Sequence, residues 1–263
     1  FLIPARIETE DRLRNIISSV TYLLRNVPAK VIVKEVSNRS LFKFRALPEI
    51  KKYANVDNLT HIFEENHEPL FCKSKVLNDL IIASDTKVVA NYDADCILPI
   101  SSYHEAYSLI NDGHADVVYP YQSGIYQWCA DYDMQIYNEF INKLDVSVLD
   151  KKKRLSNSTI GWTQFVNRQK YIDSFMMNEN FVSWGCEDDE FYYRMSVLGN
   201  RIKRVNDYVY HLEHSRTHNS WFSNPNFNNN YQLWHKIKTF DRKQLVSYYE
   251  NQEYLQKRKA QLK

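Results

Sequence analysis

The stretch Asn91 to Pro99, NYDADCILP, decides how the rest of the chain is read. It closes a segment, Lys87 to Tyr92, in which Val88, Val89 and Ala90 form the short unalternated apolar run expected of a strand covered on both faces. In open α/β sheets the ligand crevice lies beyond the carboxyl end of such a strand, so Asp93 and Asp95 fall where ligands bind. Side chains two apart on an extended chain point the same way. Two carboxylates facing one small volume are costly unless a cation separates them, and a hard divalent metal is the simplest one. Alone, a D-x-D tripeptide is more often a solvated turn after a strand. Its meaning therefore depends on the remaining segments.

Upstream, Phe1 to Pro4 reads as a short strand ending in Pro4-Ala5-Arg6. Thr9 caps a helix with Glu10 and Asp11 in its first turn, and Leu13, Ile16, Ile17, Val20 and Leu24 give that helix one apolar face. Lys30 to Val36 and Thr60 to Glu64 read as strands, and Ser74 to Ser84 as a helix burying Val76, Leu77, Leu80 and Ile81. Strand, helix, strand in this order opens a parallel, doubly wound sheet. Downstream, Pro99 starts a helix, Ala115 to Tyr119 returns as a strand, and Tyr126 to Leu149 is expected to be helical. The basic quartet Lys151 to Arg154 reads as a solvated turn in preference to a phosphate site, followed by a polar loop at Ser156 to Ser158. Order resumes at Gly161 and continues as a strand to Val166.

Two further stretches carry chemistry. In SWGCEDDEFYYR, Ser183 to Arg194, the spacing of Phe191, Met195 and Leu198 predicts a helix whose first turn holds Glu187, Asp188 and Asp189. The helix dipole favours ionised acids there, suited to a base or to accepting sugar hydroxyls. Ordinary capping explains the acids equally well, but it does not require Trp184 and Gly185 before them. Arg201 to His214 is expected to be one strand, ending in His211 and His214. These could reach one metal if the backbone bends between them, although such a pair is more commonly unligated. Thr217 to Asn230 has loop chemistry, and Tyr231 to Lys263 is a helical tail, residues 231–263 beside a main domain of residues 1–230. Its basic end, Lys257, Arg258, Lys259 and Lys263, is expected to pack on the domain more readily than on an anionic surface.

With 34 basic and 32 acidic residues among 263, the net charge of +2 gives no overall signature for nucleic acid or membrane. The four cysteines form no C-x-x-C pair, which suits a reducing, cytoplasmic setting. No apolar run approaches the roughly 20 residues of a membrane span. Phe1 falls inside a strand with no initiator methionine, so further residues upstream are expected and an anchor there stays open, as does peripheral membrane contact.

Taken in order, the landmarks Ile3-Pro4-Ala5-Arg6, Phe71 to Asn78, Asp93-Ala94-Asp95, Gly161, Trp184 to Asp189 and His214-Ser215-Arg216 resemble the GT-A glycosyltransferases. Within them the chain is similar to the β-1,4-galactosyltransferase-like and capsule-polysaccharide enzymes, from Phe1 to about Asn230. The resemblance implies an α/β, Rossmann-like fold: a mixed, mostly parallel sheet flanked by helices, here with a C-terminal helical extension. It implies Asp95 and His214 as metal ligands, His211 standing where the family can use methionine, with Mn²⁺ or Mg²⁺ bound. Pro4, Arg6, Lys73, Asp93, Ala94, Trp184 and Gly185 match nucleotide-sugar positions. Lys73 replaces an arginine and Cys186 a glycine, the latter narrowing the acceptor site. Asp188 matches the general base and Glu187 a neighbour of sugar and acceptor. The implied partners are a UDP-sugar donor, galactose or GalNAc favoured, and a glycan or lipid-linked glycan acceptor. Thr159 lies near a position gating the N-acetyl group.

The expected reaction is inverting transfer, with the segment from Ser215 to Asn230 as a mobile lid and activity falling below about pH 6.5 as the histidines protonate. A retaining enzyme with the same metal site and a non-catalytic carbohydrate- or nucleotide-binding module remain alternatives.

Overall fold

A computed structural model describes residues 1–156 and 160–262. Thr159, Asn157, Ser158 and Lys263 lie outside the described residues, and with them the expected N-acetyl gate.

The strands are β1 (Leu2–Ala5), β2 (Val31–Ser37), β3 (Leu59–Glu65), β4 (Val88–Tyr92), β5 (Cys96–Ile97), β6 (Val117–Tyr119), β7 (Gln127–Ala130), β8 (Lys153–Leu155), β9 (Thr163–Asn167), β10 (Ile202–Arg204) and β11 (Val209–Leu212). The helices are α1 (Glu10–Asn26), α2 (Leu47–Ile50), α3 (Lys73–Ala83), α4 (Ile100–Asn111), α5 (Met134–Lys143), α6 (Arg168–Asp173), α7 (Glu187–Val197), α8 (Phe227–Ile237), α9 (Arg242–Glu250) and α10 (Glu253–Gln261). A seven-stranded sheet has the order β10-β6-β9-β4-β1-β2-β3, in which β9 runs against the other strands. A smaller sheet, β5-β11-β7-β8, packs beside it. The mixed, mostly parallel sheet expected from the sequence is present.

Local chemistry places the first elements. Thr9 caps α1, and Leu13, Ile16, Ile17 and Val20 are buried in the core that also takes Ile3, Val33 and Val89. Leu24 is only half-buried but packs against the same core. Val76, Leu77, Leu80 and Ile81 of α3 are buried as their spacing predicts. Fully burying such side chains contributes about 1.5–3 kcal/mol each, which fixes helices against the sheet and leaves the loops at its carboxyl edge to carry polar groups.

Three expectations are corrected. Tyr126 to Leu149 is not one helix: Gln127–Ala130 is β7, paired in register with Val209–Leu212 and with Lys153–Leu155. Helix begins only where Asp133 accepts from the Ile136 N–H and ends at Leu144 in a left-handed conformation. Arg201 to His214 is not one strand either. Ile202–Arg204 pairs with β6 in the large sheet and Val209–Leu212 with β5 and β7 in the small one, so the chain crosses between sheets at residues 205–208. The asparagine-rich loop stops short of Asn230, because α8 starts at Phe227.

The basic quartet faces acids rather than a ligand site. Lys151 pairs with Glu139, Lys152 with Asp133, Lys153 with Asp150 and Arg154 with Glu213. The tail forms a second apolar cluster, Phe181 with Ile237, Leu245, Tyr249 and Leu255. A buried polar link joins it to α7: the Tyr249 hydroxyl donates to Glu190, whose carboxylate also accepts from Arg194 Nε at 2.8 Å. From the basic end, Arg258 bonds Glu179 at 2.6 Å and also Asp79. Among the described residues no helix is long and apolar enough to cross a membrane.

Candidate active site

The segments that follow β1 and β4 meet the start of α7 around a cleft of about 200 Å³. Pro4, Arg6, Lys73, Asp93, Ala94, Asp95, Trp184, Glu187, Asp188, His211 and His214 all line it. Gly185 does not; it lines an adjoining cleft with Cys186.

Asp93 and Asp95 sit in a turn between β4 and β5 that is pinned from three sides. The Asp93 N–H donates to Trp162 O (2.8 Å), Ser19 Oγ to Ala94 O (2.7 Å) and the Leu212 N–H to Asp95 O (2.7 Å). The Cys96 N–H closes on Asp93 O at 3.2 Å, so the segment is not extended. The two carboxylates therefore share the cleft for a different reason from alternation along a strand. They also part company. Asp93 lies 3.0 Å from Lys73 Nζ, whereas Asp95 Oδ2 lies 3.1 Å from His214 Nε2 and 3.6 Å from His211 Nε2. Lys73 on the one and two imidazoles on the other thus part the aspartates, and repulsion between them no longer argues for a metal.

The ligand geometry argues for one independently. One carboxylate oxygen and two imidazole nitrogens of Asp95, His211 and His214 lie within 4.8 Å of one another. His214 Nδ1 bonds Ser215 O and His211 Nδ1 bonds Glu213 Oε1, both at 3.0 Å, which turns both Nε2 atoms toward Asp95. A carboxylate or carbonyl behind the ring orients a metal-binding imidazole, and a carboxylate with two imidazoles can hold a divalent ion, suiting Zn²⁺ better than Mn²⁺ but tolerating the latter. The residues present fit the ion. Cys129, His211 and Glu213 are equally close to one another, but Cys129 and Glu213 do not line the cleft and stand behind the ring. His211 itself is stacked on Trp162, with centroids 5.4 Å apart.

Burial works against the charge on Asp95, yet His211, His214 and Arg12 outweigh it and hold the carboxyl well below its usual range. Burial likewise opposes the imidazolium of His211, and Asp95, Cys129 and Glu213 reverse this, pushing it up to about 10. The expected activity loss near pH 6.5 started from ordinary imidazoles, and the acids around His211 favour its charged form relative to that starting point.

Across the cleft, Lys73 Nζ bridges the two walls, 3.0 Å from Asp93 and 3.4 Å from Asp188. Burial would lower its pKa, but Asp188, Asp93 and Glu187 raise it well above the usual value. Gln164 of β9 donates to the other Asp188 oxygen at 3.3 Å. Burial pushes Asp93 up to about 6 even against Lys73. Glu187 accepts from the Gly185 N–H at 2.9 Å, and burial together with the Asp188 charge pushes it up to about 7. At Glu187 desolvation opposes the ionised form that the helix start favours. Burial and Asp188 also raise Asp189.

The backbone explains two sequence features. Gly185 has φ +123°, and a Cβ there would come within 2.8 Å of the Phe227 ring. Cys186, where the family has glycine, has φ +68°. It faces the adjoining cleft, not the main one. Trp162 (φ 63°) and Ser183 (φ 61°), both lining the main cleft, are strained in the same sense. Such residues cost of order 1–3 kcal/mol each and collect at functional sites.

Beyond His214 the chain crosses the cleft mouth. The Ser215 N–H and hydroxyl donate to Asp11 at 2.6 and 2.7 Å, Thr217 bonds Glu8 at 2.7 Å, and Asn219 Oδ1 accepts from the Phe71 N–H and Ser183 Oγ. Arg6 is half-buried and donates to Glu68 O and Pro69 O at the rim.

Sequence reasoning missed Glu213 and Arg12. Glu213 lies two residues beyond His211, and that spacing was a usable signal, since alternate residues of a strand share a face. Arg12 lines the cleft, and its buried Nε and Nη2 have no hydrogen-bond partner among the described residues. In sequence it was one helix-surface arginine among others.

Residues 144–215, which include β9, Trp184 to Asp189 and both histidines, match the family model described as the N-terminal domain of galactosyltransferase. No curated protein matches the chain in sequence. Among solved structures, S. aureus TarS 1–349 in complex with UDP-GlcNAc is similar at 15% identity and TM-score 0.56, over 88% of this chain and 64% of that one. GalNAc-T7 with UDP, GalNAc and Mn²⁺ is similar at 13% identity and TM-score 0.56, over 85% and 44%. The Pyrobaculum calidifontis mannosyltransferase PcManGT with GDP-Man and Mn²⁺ is similar at 14% identity and TM-score 0.50, over 80% and 55%. The chain spans less than two thirds of the length of each. It has the fold of the GT-A glycosyltransferases and, in residues 144–215, the sequence pattern of a galactosyltransferase domain.

Proposed function

We propose that the protein is a metal-dependent, inverting glycosyltransferase that moves a hexose or N-acetylhexosamine, galactose or GalNAc in first place, from a UDP-sugar to a glycan hydroxyl. The observation that carries this reading is one cleft with Asp95, His211 and His214 grouped on one wall and Asp188 on the other, joined by Lys73. A divalent ion held by the three ligands would act as a Lewis acid toward the donor's diphosphate.

The chain's own groups do the rest. Asp188 accepts the proton of the acceptor hydroxyl as its oxygen bonds to the anomeric carbon. The bond from that carbon to the diphosphate oxygen breaks, and its electron pair leaves with UDP. Arg12, Arg6 and Lys73 supply positive charge near the departing group. Displacement from the face opposite the leaving group inverts the anomeric centre. The expected lid, Ser215 to Asn230, is the loop from Ser215 up to α8: the cleft beneath it is smaller than the roughly 300–1,000 Å³ of common ligand sites, so this loop swings aside to admit a nucleotide sugar.

Polysaccharide or capsule assembly is the fitting context, with a lipid-linked or growing glycan as acceptor. All four cysteines are free, which supports a reducing, cytoplasmic setting. The test is UDP release from UDP-Gal, UDP-GalNAc, UDP-Glc and UDP-GlcNAc with and without Mn²⁺, followed by proton NMR of the product. Release that requires metal, with inverted configuration, is expected. Retained configuration would remove Asp188 from the base role, and no release from any donor would leave the non-catalytic binding module.

A further inference from the structure

Behind the imidazole of His211, on the side turned away from Asp95, the small sheet brings two more donors up to the ring. β7 and β11 run parallel with Cys129 beside His211 in register, so these two side chains leave the sheet on the same face. The Glu213 N–H continues that ladder to Ala130 O at 2.9 Å, and two residues on from His211 the Glu213 side chain returns to the same face. One donor atom each of Cys129, His211 and Glu213 lie within 4.8 Å of one another, and Glu213 Oε1 stands 3.0 Å from His211 Nδ1. Cys129 and His211 are buried, and the half-buried Glu213 marks the way in.

The donor set identifies the ion. A thiolate, an imidazole and a carboxylate, with a fourth position left for water, are ligands of Zn²⁺, whose bonds of roughly 2.0–2.3 Å put tetrahedral donors about 3.3–3.8 Å apart. Mn²⁺ and Mg²⁺ prefer oxygen and gain little from sulfur. Arg154 and Arg216 also bond Glu213, at 2.9 and 3.4 Å, but both are exposed side chains whose pairs hold weakly and release into solvent. Trp162 stacks on the imidazole and keeps its two nitrogens aimed at opposite sides.

The front and rear groups use opposite nitrogens of one ring. A neutral imidazole has one lone pair and one N–H, so it serves one cation at a time. An ion at Nε2 leaves the Nδ1 proton for Glu213. An ion at Nδ1 leaves the Nε2 proton facing Asp95 and takes a ligand from the front group. We propose that Cys129, His211 Nδ1 and Glu213 form a second cation site, of Zn²⁺ class, and that its occupation and that of the Asp95 site exclude each other. Binding at the rear displaces the thiol proton and the Nδ1 proton to solvent. Zn²⁺ there inhibits transfer, a consequence that rests on the transferase reading; the site itself does not.

Co²⁺ stands in for Zn²⁺ as the optical probe, because a thiolate bound to it gives a charge-transfer band in the near ultraviolet. The metal-free full chain, kept reduced with a phosphine, is titrated with Co²⁺ and then with Zn²⁺. The parent is expected to show the band and to lose it to Zn²⁺. Cys129→Ser should show no band, whereas Asp95→Asn, altered only at the front, should keep it. Excess Mn²⁺ should erase most of the band in the parent and leave it in Asp95→Asn. Thermal melts establish that each variant is folded; if Cys129→Ser is not, Glu213→Gln serves, with Co²⁺ affinity expected to fall about tenfold and the band kept. No band in the parent, a band undiminished in Cys129→Ser, or unchanged Co²⁺ affinity in Glu213→Gln would overturn the rear site. A parent band indifferent to excess Mn²⁺ would overturn the exclusion. These readings need neither donor nor acceptor, so loss of the transferase reading shows separately, as absence of UDP release in the donor screen.

Discussion

The two walls of the main cleft solve opposite electrostatic problems. On the Asp95 wall, Asp95 faces two imidazoles and Glu213 faces His211, which offsets its burial and brings its carboxyl down to about 2. On the α7 wall, Glu187 and Asp189 are raised by burial and by the acid between them, and Lys73 is shared with the facing Asp93. Asp95 and Glu213 have basic partners on their own wall, whereas the acids of α7 have only the shared Lys73. The contrast teaches where each kind of substitution should be felt: in metal affinity and leaving-group departure on the first wall, in proton transfer and stability on the second.

The strongest way to break the comparison is Asp95→Asn, which removes the only carboxylate of the ligand set. It should cut metal-dependent turnover by roughly 10⁴-fold and abolish Mn²⁺ binding by calorimetry. Asp188→Asn should cut kcat by about 10³-fold yet leave Mn²⁺ and UDP affinities within about twofold. Equal loss of metal binding in both variants would dissolve the distinction between the walls.

Glu187→Gln sharpens it through stability. A carboxyl whose folded pKa is raised to about 7 binds more protons folded than unfolded above about pH 4.5, so its ionisation destabilises the fold as pH rises through that window. The glutamine variant should therefore be more stable than the parent at pH 8, by up to about 3 kcal/mol, with the gain vanishing near pH 4. Denaturant melts at the two pH values read this directly, and a gain independent of pH would assign it to packing instead.

Glu213→Gln tests the Asp95 wall from behind. With the carboxylate that orients His211 gone, the Mn²⁺ Kd should rise about 10- to 100-fold, while the acid on α7 is untouched. Smallest is Cys186→Gly, which relieves a left-handed residue and should stabilise the protein by about 1 kcal/mol, with Asp188-dependent turnover kept.

The fold was legible where burial is local. Val88 to Ala90, the α1 stripe and the α3 stripe declare themselves through spacing that each segment carries within itself. β7 did not, because Gln127 to Ala130 becomes a strand only through partners 23 to 27 and 82 positions away, Lys153 to Leu155 and Val209 to Leu212. The break between β10 and β11 was hidden for the same reason: both halves are strand-like, and only their membership of different sheets separates them. In the cleft, the residue types of Asp95, His211, His214 and Asp188 were readable, and so was their convergence. Their protonation was not, since Glu187 and His211 depend on burial and on neighbours such as Cys129 that no local pattern links to them.

The buried link between Tyr249, Glu190 and Arg194 has a consequence in time. Glu190 and Arg194 belong to the helix that begins with Glu187 and Asp188, and a phenol more than fifty residues later completes their burial. During synthesis, a ribosome that has delivered both histidines and every acid of the cleft has still not released the piece that seals this helix in place. The burial of the helix that carries Glu187 and Asp188 is therefore completed only when residue 249 emerges and docks.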